Sequence, residues 1–332
     1  MALAAAVAFT GHKKILVMSN SYHGGTLYFK EPLPDLSVNI PHDFVLAPYN
    51  DIPGTQSVVD SLPKDTLAAI LVEPLQGSGG CIPGDKSYLQ YLNTTAHKLG
   101  ALFIVDEVMT SRLSYHGLSS SLGLTPDLVT LGKWIGGGMT FGAFGGRKDG
   151  GVMGMFDPRT GELSHSGTFN NNIVTMAAGV VGMDIFTENE LLRLNKLGET
   201  LKEGVEKVLL KYEINPPQPK KRCPEKNEDE SPFTGINSEH PSNPVSVESL
   251  SLAEKEGRMW ITGLGSMLCI HFSGESANSL QALFWHHMLD EGMYLAQRGF
   301  IALTLELGEE HIQKFVKGVD EFVGKYKLVL SS

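Results

Sequence analysis

Two residues in this chain stand where packing alone gives no reason for them. Asp106 closes the apolar run Phe103-Ile104-Val105, and Lys133 follows Leu128-Val129-Thr130-Leu131-Gly132 just ahead of the cluster Gly136-Gly137-Gly138. An arbitrary carboxylate and amine so placed would pair as ions. The same residue types can also do chemistry, the amine as a nucleophile and the carboxylate as the group that keeps a neighbour cationic. What surrounds them decides between the two.

Both residues sit at the ends of buried strands. Ala101 to Val105 and Leu128 to Leu131 are short apolar runs bounded by turn signals, the pattern of a strand covered on both faces. Ligands of open α/β sheets bind beyond the carboxyl ends of such strands. Asp106 and Lys133 are therefore expected to face one crevice.

The wording around them is specific. Asp-Glu-Val-Met-Thr from Asp106, Thr-Pro-Asp-Leu from Thr125 and Leu-Gly-Lys-Trp-Ile-Gly-Gly-Gly-Met around Lys133 closely resemble the class III pyridoxal-phosphate aminotransferases, and within them the glutamate-1-semialdehyde aminomutase-like branch. The resemblance implies fold type I, an α/β fold with a mostly parallel central sheet, helices on both faces and a smaller α+β C-terminal domain. It implies pyridoxal 5′-phosphate as cofactor, with Lys133 forming the internal aldimine and Asp106 pairing with the pyridinium nitrogen. An amino donor displaces the lysine, whose amine then moves a proton, and the ring takes up the carbanion while a negative charge keeps its nitrogen protonated.

Further positions carry over from the same family. Tyr22, in Ser21-Tyr22-His23-Gly24-Gly25, matches the aromatic residue that covers one cofactor face, with His23 beside it and Val108 on the other face. A strand-end turn with a half-buried tyrosine is the plain alternative. Glu73, in Glu-Pro after the apolar run Leu67 to Val72, is a substrate-site candidate or a buried carboxylate satisfied by backbone. Ser78, a cofactor-binding candidate in the resemblance, stands at a position that helps shape the active site, where relatives carry glutamate or asparagine, so the serine leaves substrate choice open. Thr168, in Gly-Thr-Phe-Asn-Asn-Asn, matches a residue that reaches the phosphate held by a neighbouring subunit, and so implies a homodimer; alternatively Thr168 or an asparagine caps the next helix. Arg298 could receive a substrate carboxylate bidentately or be a surface arginine. Met109 matches the aminomutase-like branch. Relatives also have a Ser-Gly-Thr-Glu-Ala-like phosphate-binding turn ahead of the first helix, and that turn is absent here.

Composition bounds the rest. The 332 residues, 42% hydrophobic and 19% charged, suit a globular protein with room for two domains, and we expect residues 1–186 to form the cofactor domain and 187–332 the smaller one. The net charge of −10 argues against a nucleic-acid partner. Cys81, Cys223 and Cys269 lie far apart, which suggests neither a disulfide framework nor a metal site and is compatible with the cytoplasm. The apolar opening Met1 to Phe9 is too short to span a bilayer, and no other membrane segment is expected.

Along the chain, helices are expected over residues 2 to 9, Ser87 to Leu99, from Ile173 to Ile185, Leu191 to Tyr212, Leu280 to Leu289 and Glu309 to Tyr326. Further strands are expected at Ile15 to Met18, Phe141 to Gly146, Ile261 to Phe272, Tyr294 to Ala296 and Phe300 to Leu303. Residues 30–50 read as a surface excursion. Residues 213–250, proline-rich with few large apolar side chains, read as an exposed insertion. The sequence predicts transamination between a small amino donor and a carbonyl acceptor; the alternatives are a 2,1-aminomutase and a non-catalytic or truncated relative.

Overall fold

The structure, a computed structural model, describes residues 1–31, 38–147, 151–160, 162–214 and 259–330. It divides into two units, Met1–Gly79 with Gly84–Leu191, and Gly80–Pro83 with Leu192–Ser332.

The first unit is built on six strands, β1 (Lys14–Met18), β2 (Asp43–Ala47), β3 (Leu67–Val72), β6 (Leu102–Asp106), β7 (Leu128–Gly132) and β8 (Gly142–Gly146), in the order β2-β1-β3-β6-β7-β8. All neighbours are parallel except the antiparallel pair β7 and β8. Every residue of β3 is buried, as a parallel strand covered on both faces requires. Helix α1 (Ala2–Thr10) lays Ala2, Leu3, Ala5 and Ala6 against Ile15, Val17, Ala69, Leu71 and Ile104. Alternate residues point the other way. There α3 (Lys86–Lys98) buries Tyr88, Leu89 and Leu92, with the Tyr88 hydroxyl 2.8 Å from Met18 Sδ and 3.3 Å from Thr55 Oγ1 of α2 (Ile52–Asp60).

One expectation for this unit is corrected. Residues 30–50 are not wholly an excursion, because β2 pairs with β1 from Lys14↔Asp43 to Met18↔Ala47. As an edge strand without strict alternation, it has little local signature; its pairing creates it.

The second unit holds an antiparallel sheet of β9 (Met259–Leu264), β10 (Met267–Phe272) and β11 (Phe300–Ala302), ordered β11-β10-β9. With it belong α7 (Ala277–Asp290), α8 (Glu309–Leu330) and most of α6 (Glu188–Lys211). Phe272, Phe284 and Phe322 form its aromatic centre, with Phe284 and Phe322 edge to face at 5.1 Å. The run expected as a single strand over Ile261 to Phe272 is a hairpin. It turns at Gly265, at φ +51°, where Asn195 Oδ1 accepts the Ser266 N–H. Tyr294 to Ala296 is not a strand; the Leu295 carbonyl accepts the Trp285 indole N–H instead of a ladder bond. The division at Leu191 falls inside α6, which starts just past the boundary expected at 186. From residue 215 onward, the expected insertion at 213–250 lies outside the described residues.

Candidate active site

The path of the chain marks the site before any side chain is considered. From β1 it moves outward to β2, then returns to the other side of β1 for β3, and continues that way through β6 and β7. The reversal places the sheet's switch point between β1 and β3, where open α/β sheets bind ligands. Tyr22 and His23 follow β1, Glu73 follows β3, Asp106 ends β6 and Lys133 follows β7.

Asp106 and His23 form a buried ion pair, Nδ1 to Oδ2 at 2.7 Å. The other Asp106 oxygen accepts the Val108 N–H at 3.0 Å. Burial pushes Asp106 up, but the His23 hydrogen bond and charge, with the Val108 N–H and Thr130 hydroxyl, outweigh it and hold the carboxyl below its usual range. Burial likewise favours neutral His23, and Asp106 reverses this and raises it. His23 Nε2 is buried without a partner. The pairing therefore supplies a carboxylate kept ionised in a dry place.

Glu73 lies between these strands. Its carboxylate accepts the Tyr22 N–H at 3.0 Å and the Gly77 N–H at 3.2 Å. Burial lifts its pKa to about 7, against the pull of His23 and with the push of Asp106. Both oxygens are thus occupied with backbone. Tyr22 is half-exposed and packs edge to face on Tyr28 at 5.6 Å.

Lys133 is exposed and adopts φ +53°, the left-handed region. A non-glycine residue there is strained, and such strain collects at functional sites. The Glu107 N–H donates to the Thr130 carbonyl at 3.0 Å, which carries the β6–β7 pairing past Asp106 toward the lysine. Val108 borders this turn: a Cβ built on Gly132 would lie 3.4 Å from its Cγ1.

The other predicted residues are less gathered. Ser78 is exposed on the loop after β4 (Leu75–Gln76). Thr168 is exposed ahead of α5 (Ile173–Ile185), and the helix is capped by Asn172, whose side chain accepts the Val174 and Thr175 N–H groups. Arg298 is exposed in the second unit, its guanidinium 5.2 Å from the Phe300 ring centroid. Among the described residues no His, Cys, Asp and Glu cluster could hold a metal ion.

Sequence reading passed over Glu107. It is buried, and it accepts the Thr110 hydroxyl at 2.6 Å and the Leu118 and Ser119 N–H groups at 3.1 and 2.7 Å. Those bonds fold the loop after Asp106 and cap α4 (Leu118–Ser121). The only available signal was a second carboxylate at a strand end.

These residues suit a pyridoxal ring: a carboxylate held ionised, an accessible lysine, and an aromatic and a branched side chain after β1 and β6, two strands with β3 between them. Together with a mostly parallel sheet and a small antiparallel C-terminal sheet, they define a fold type I pyridoxal-phosphate enzyme. Residues 1–216 match the aminotransferase class-III family, and the chain belongs to that family, whose cofactor is pyridoxal 5′-phosphate.

The β-phenylalanine transaminase of Variovorax paradoxus is 40% identical over 343 residues, covering 99% of this chain and 68% of the relative. The crystal structure of a β-phenylalanine aminotransferase from that organism superimposes with a TM-score of 0.81 at 38% identity, over 100% of this chain and 68% of that one. A glutamate-1-semialdehyde 2,1-aminomutase of Clostridium kluyveri is 30% identical over 343 residues, covering 95% of this chain and 70% of the relative. The chain thus spans about two thirds of these relatives.

Proposed function

We propose that this class III aminotransferase moves an amino group from a β-amino acid bearing an aryl group to a carbonyl acceptor. The observation that carries the reading is the buried His23–Asp106 pair beside the Lys133 turn, in a chain 40% identical to a β-phenylalanine transaminase. The lower identity to an aminomutase, 30%, makes intramolecular transfer the second reading.

Each side chain then has a task. Lys133 Nζ would hold the cofactor through its aldehyde and, when its amine is free, would carry a proton between carbons. Asp106 would keep the ring nitrogen cationic, with His23 keeping Asp106 ionised. Tyr22 and Val108 would cover the two ring faces, the aromatic contact adding about 0.5–1.5 kcal/mol. Glu73 fixes the backbone of Tyr22 and Gly77. Arg298 would take the substrate carboxylate in two parallel bonds, with Ser78 at the substrate edge. When bound, pyridoxal phosphate supplies the sink for the electron pair left on the substrate carbon.

Support for a homodimer comes from α5, where Ile173, Val174, Val180, Val181 and Ile185 are each more than half exposed. A single chain rarely leaves such a face open, and a second copy would cover it while bringing Thr168 to the partner's cofactor phosphate. No described helix is long and apolar enough to cross a membrane, and the scattered cysteines fit a cytoplasmic setting.

The test is to supply racemic β-phenylalanine and a keto acid to the cofactor-loaded protein and follow keto-acid-dependent amine transfer. Turnover that is absent with β-amino acids but present with a semialdehyde alone would favour the aminomutase reading.

A further inference from the structure

Ser78 sits on a loop held down on every side except its own. The Glu73 carbonyl accepts the Tyr49 hydroxyl at 2.9 Å, and the Gln76 side-chain amide donates to the Ser19 carbonyl at 2.8 Å. The Gly77 N–H donates to the Glu73 carboxylate. At the far end the chain enters the second unit at Gly80–Pro83, which includes β5 (Ile82–Pro83), and a different set of bonds receives it.

The Gly80 carbonyl oxygen is met twice. Thr262 Oγ1 lies 2.6 Å from it and His271 Nε2 3.0 Å, while Thr262 Oγ1 and His271 Nε2 are 2.6 Å apart. The protons in this triangle can be assigned. The threonine hydroxyl has one hydrogen. If it were given to His271, the imidazole nitrogen would turn a lone pair toward a carbonyl oxygen. The hydroxyl therefore donates to Gly80, and His271 carries its proton on Nε2.

The rest of the sheet fixes the ring. Trp260, paired with His271 across β9 and β10, stacks on it at 5.1 Å and 13°. Gly80 is at φ +108°, and a Cβ there would fall 2.5 Å from His271 Cε1, so only glycine permits the approach. Cys81 follows at φ +53°, buried, its Sγ donating to the Leu268 carbonyl at 3.4 Å. Two successive left-handed residues are unfavourable without such anchors.

We propose that Thr262 and His271 are positioning residues for substrate binding, acting through the Gly80 carbonyl to fix the loop that presents Ser78. The inference rests on the reading of Ser78 as a substrate-facing residue. Neither residue touches substrate; their effect is on where Ser78 stands.

The test uses the full-length, cofactor-loaded protein with Thr262→Val, Thr262→Ser and His271→Leu. Hydrogen exchange read by mass spectrometry is expected to show the amides of residues 77–81 losing about tenfold in protection in Thr262→Val and His271→Leu, with Thr262→Ser close to wild type. In the same variants KM for the amino donor should rise about tenfold while kcat stays within about twofold. Unchanged exchange and KM in both folded variants would overturn the proposal, as would a parallel collapse of kcat and cofactor absorbance, which would mark a general structural role. Should one variant not fold, the other decides. If wild type transaminates no β-amino acid, the proposed function fails, and the exchange measurement still judges the anchor by itself.

Discussion

Replacing His23 with alanine isolates the group that holds Asp106 ionised. In the wild type the two side chains are buried and 2.7 Å apart. Burial pushes each toward its neutral form, and their mutual bond and charge reverse both tendencies. A hydrogen bond to a charged group contributes about 1.5–3 kcal/mol, and each ~1.36 kcal/mol is tenfold in rate. Loss of the pair should therefore reduce kcat/KM by about 10- to 150-fold. The pH dependence has a definite sign. Asp106 has a depressed pKa in the folded state, so the stability of its ionised form is present above its unfolded pKa and lost as pH falls through the folded one. Without His23 that loss begins at higher pH, and the acid limb of the rate profile moves up. The assay is kcat/KM against pH for wild type, His23→Ala, Asp106→Ala and the double variant, which should be strongly non-additive. A His23→Ala protein that loads cofactor, keeps kcat within about twofold and leaves the acid limb in place would refute the reasoning.

Four other outcomes follow from the same geometry. Lys133→Ala should abolish the borohydride-trappable absorbance band of the lysine-bound cofactor; an identical spectrum in wild type and variant would remove Lys133 from its role. Glu73→Gln should gain stability relative to wild type as pH rises from about 5 to 8, by up to about 3 kcal/mol, because the wild-type carboxyl, raised to about 7, resists ionising in place; thermal melts at both pH values read it. Gly137→Ala should destabilise by about 2–4 kcal/mol, since the residue is at φ +58° and its Cβ would fall 2.0 Å from the Ala178 backbone oxygen; urea titration reads it. Val181→Glu, on the open face of α5, should shift the protein to monomers in sedimentation and lower activity with it.

Strand β3 and the strand ending at Asp106 were legible because burial on both faces writes itself as an uninterrupted apolar run, while β7, half-buried at Val129, Thr130 and Leu131, was marked by the turn that follows it. β2 was not, since an edge strand owes its existence to pairing with β1, and pairing is not a local property. The hairpin at Gly265 was hidden for a related reason: both of its strands are apolar, so the turn is marked by one glycine and a side chain 71 residues away in sequence, Asn195. Lys133 and Asp106 could be picked out by chemistry. Glu107, Thr262 and His271 could not, because each acts by binding backbone whose position only the fold supplies.

The site also shows why these carboxylates differ. His23 and Asp106 come from β1 and β6, which are not neighbours; β3 runs between them. Strands lie about 4.8 Å apart, so the pair reaches across the end of β3, where Glu73 stands. Glu73 feels the imidazolium that lowers its pKa and the carboxylate that raises it, and burial decides the balance. Asp106, with the same burial against it, has the direct bond to His23 and stays ionised. Three side chains on consecutive strands therefore give one carboxylate that remains charged and one poised near neutrality. Exchanging the residues at 73 and 106 between Asp and Glu would not exchange their behaviour, because what separates them is which oxygen reaches the imidazole.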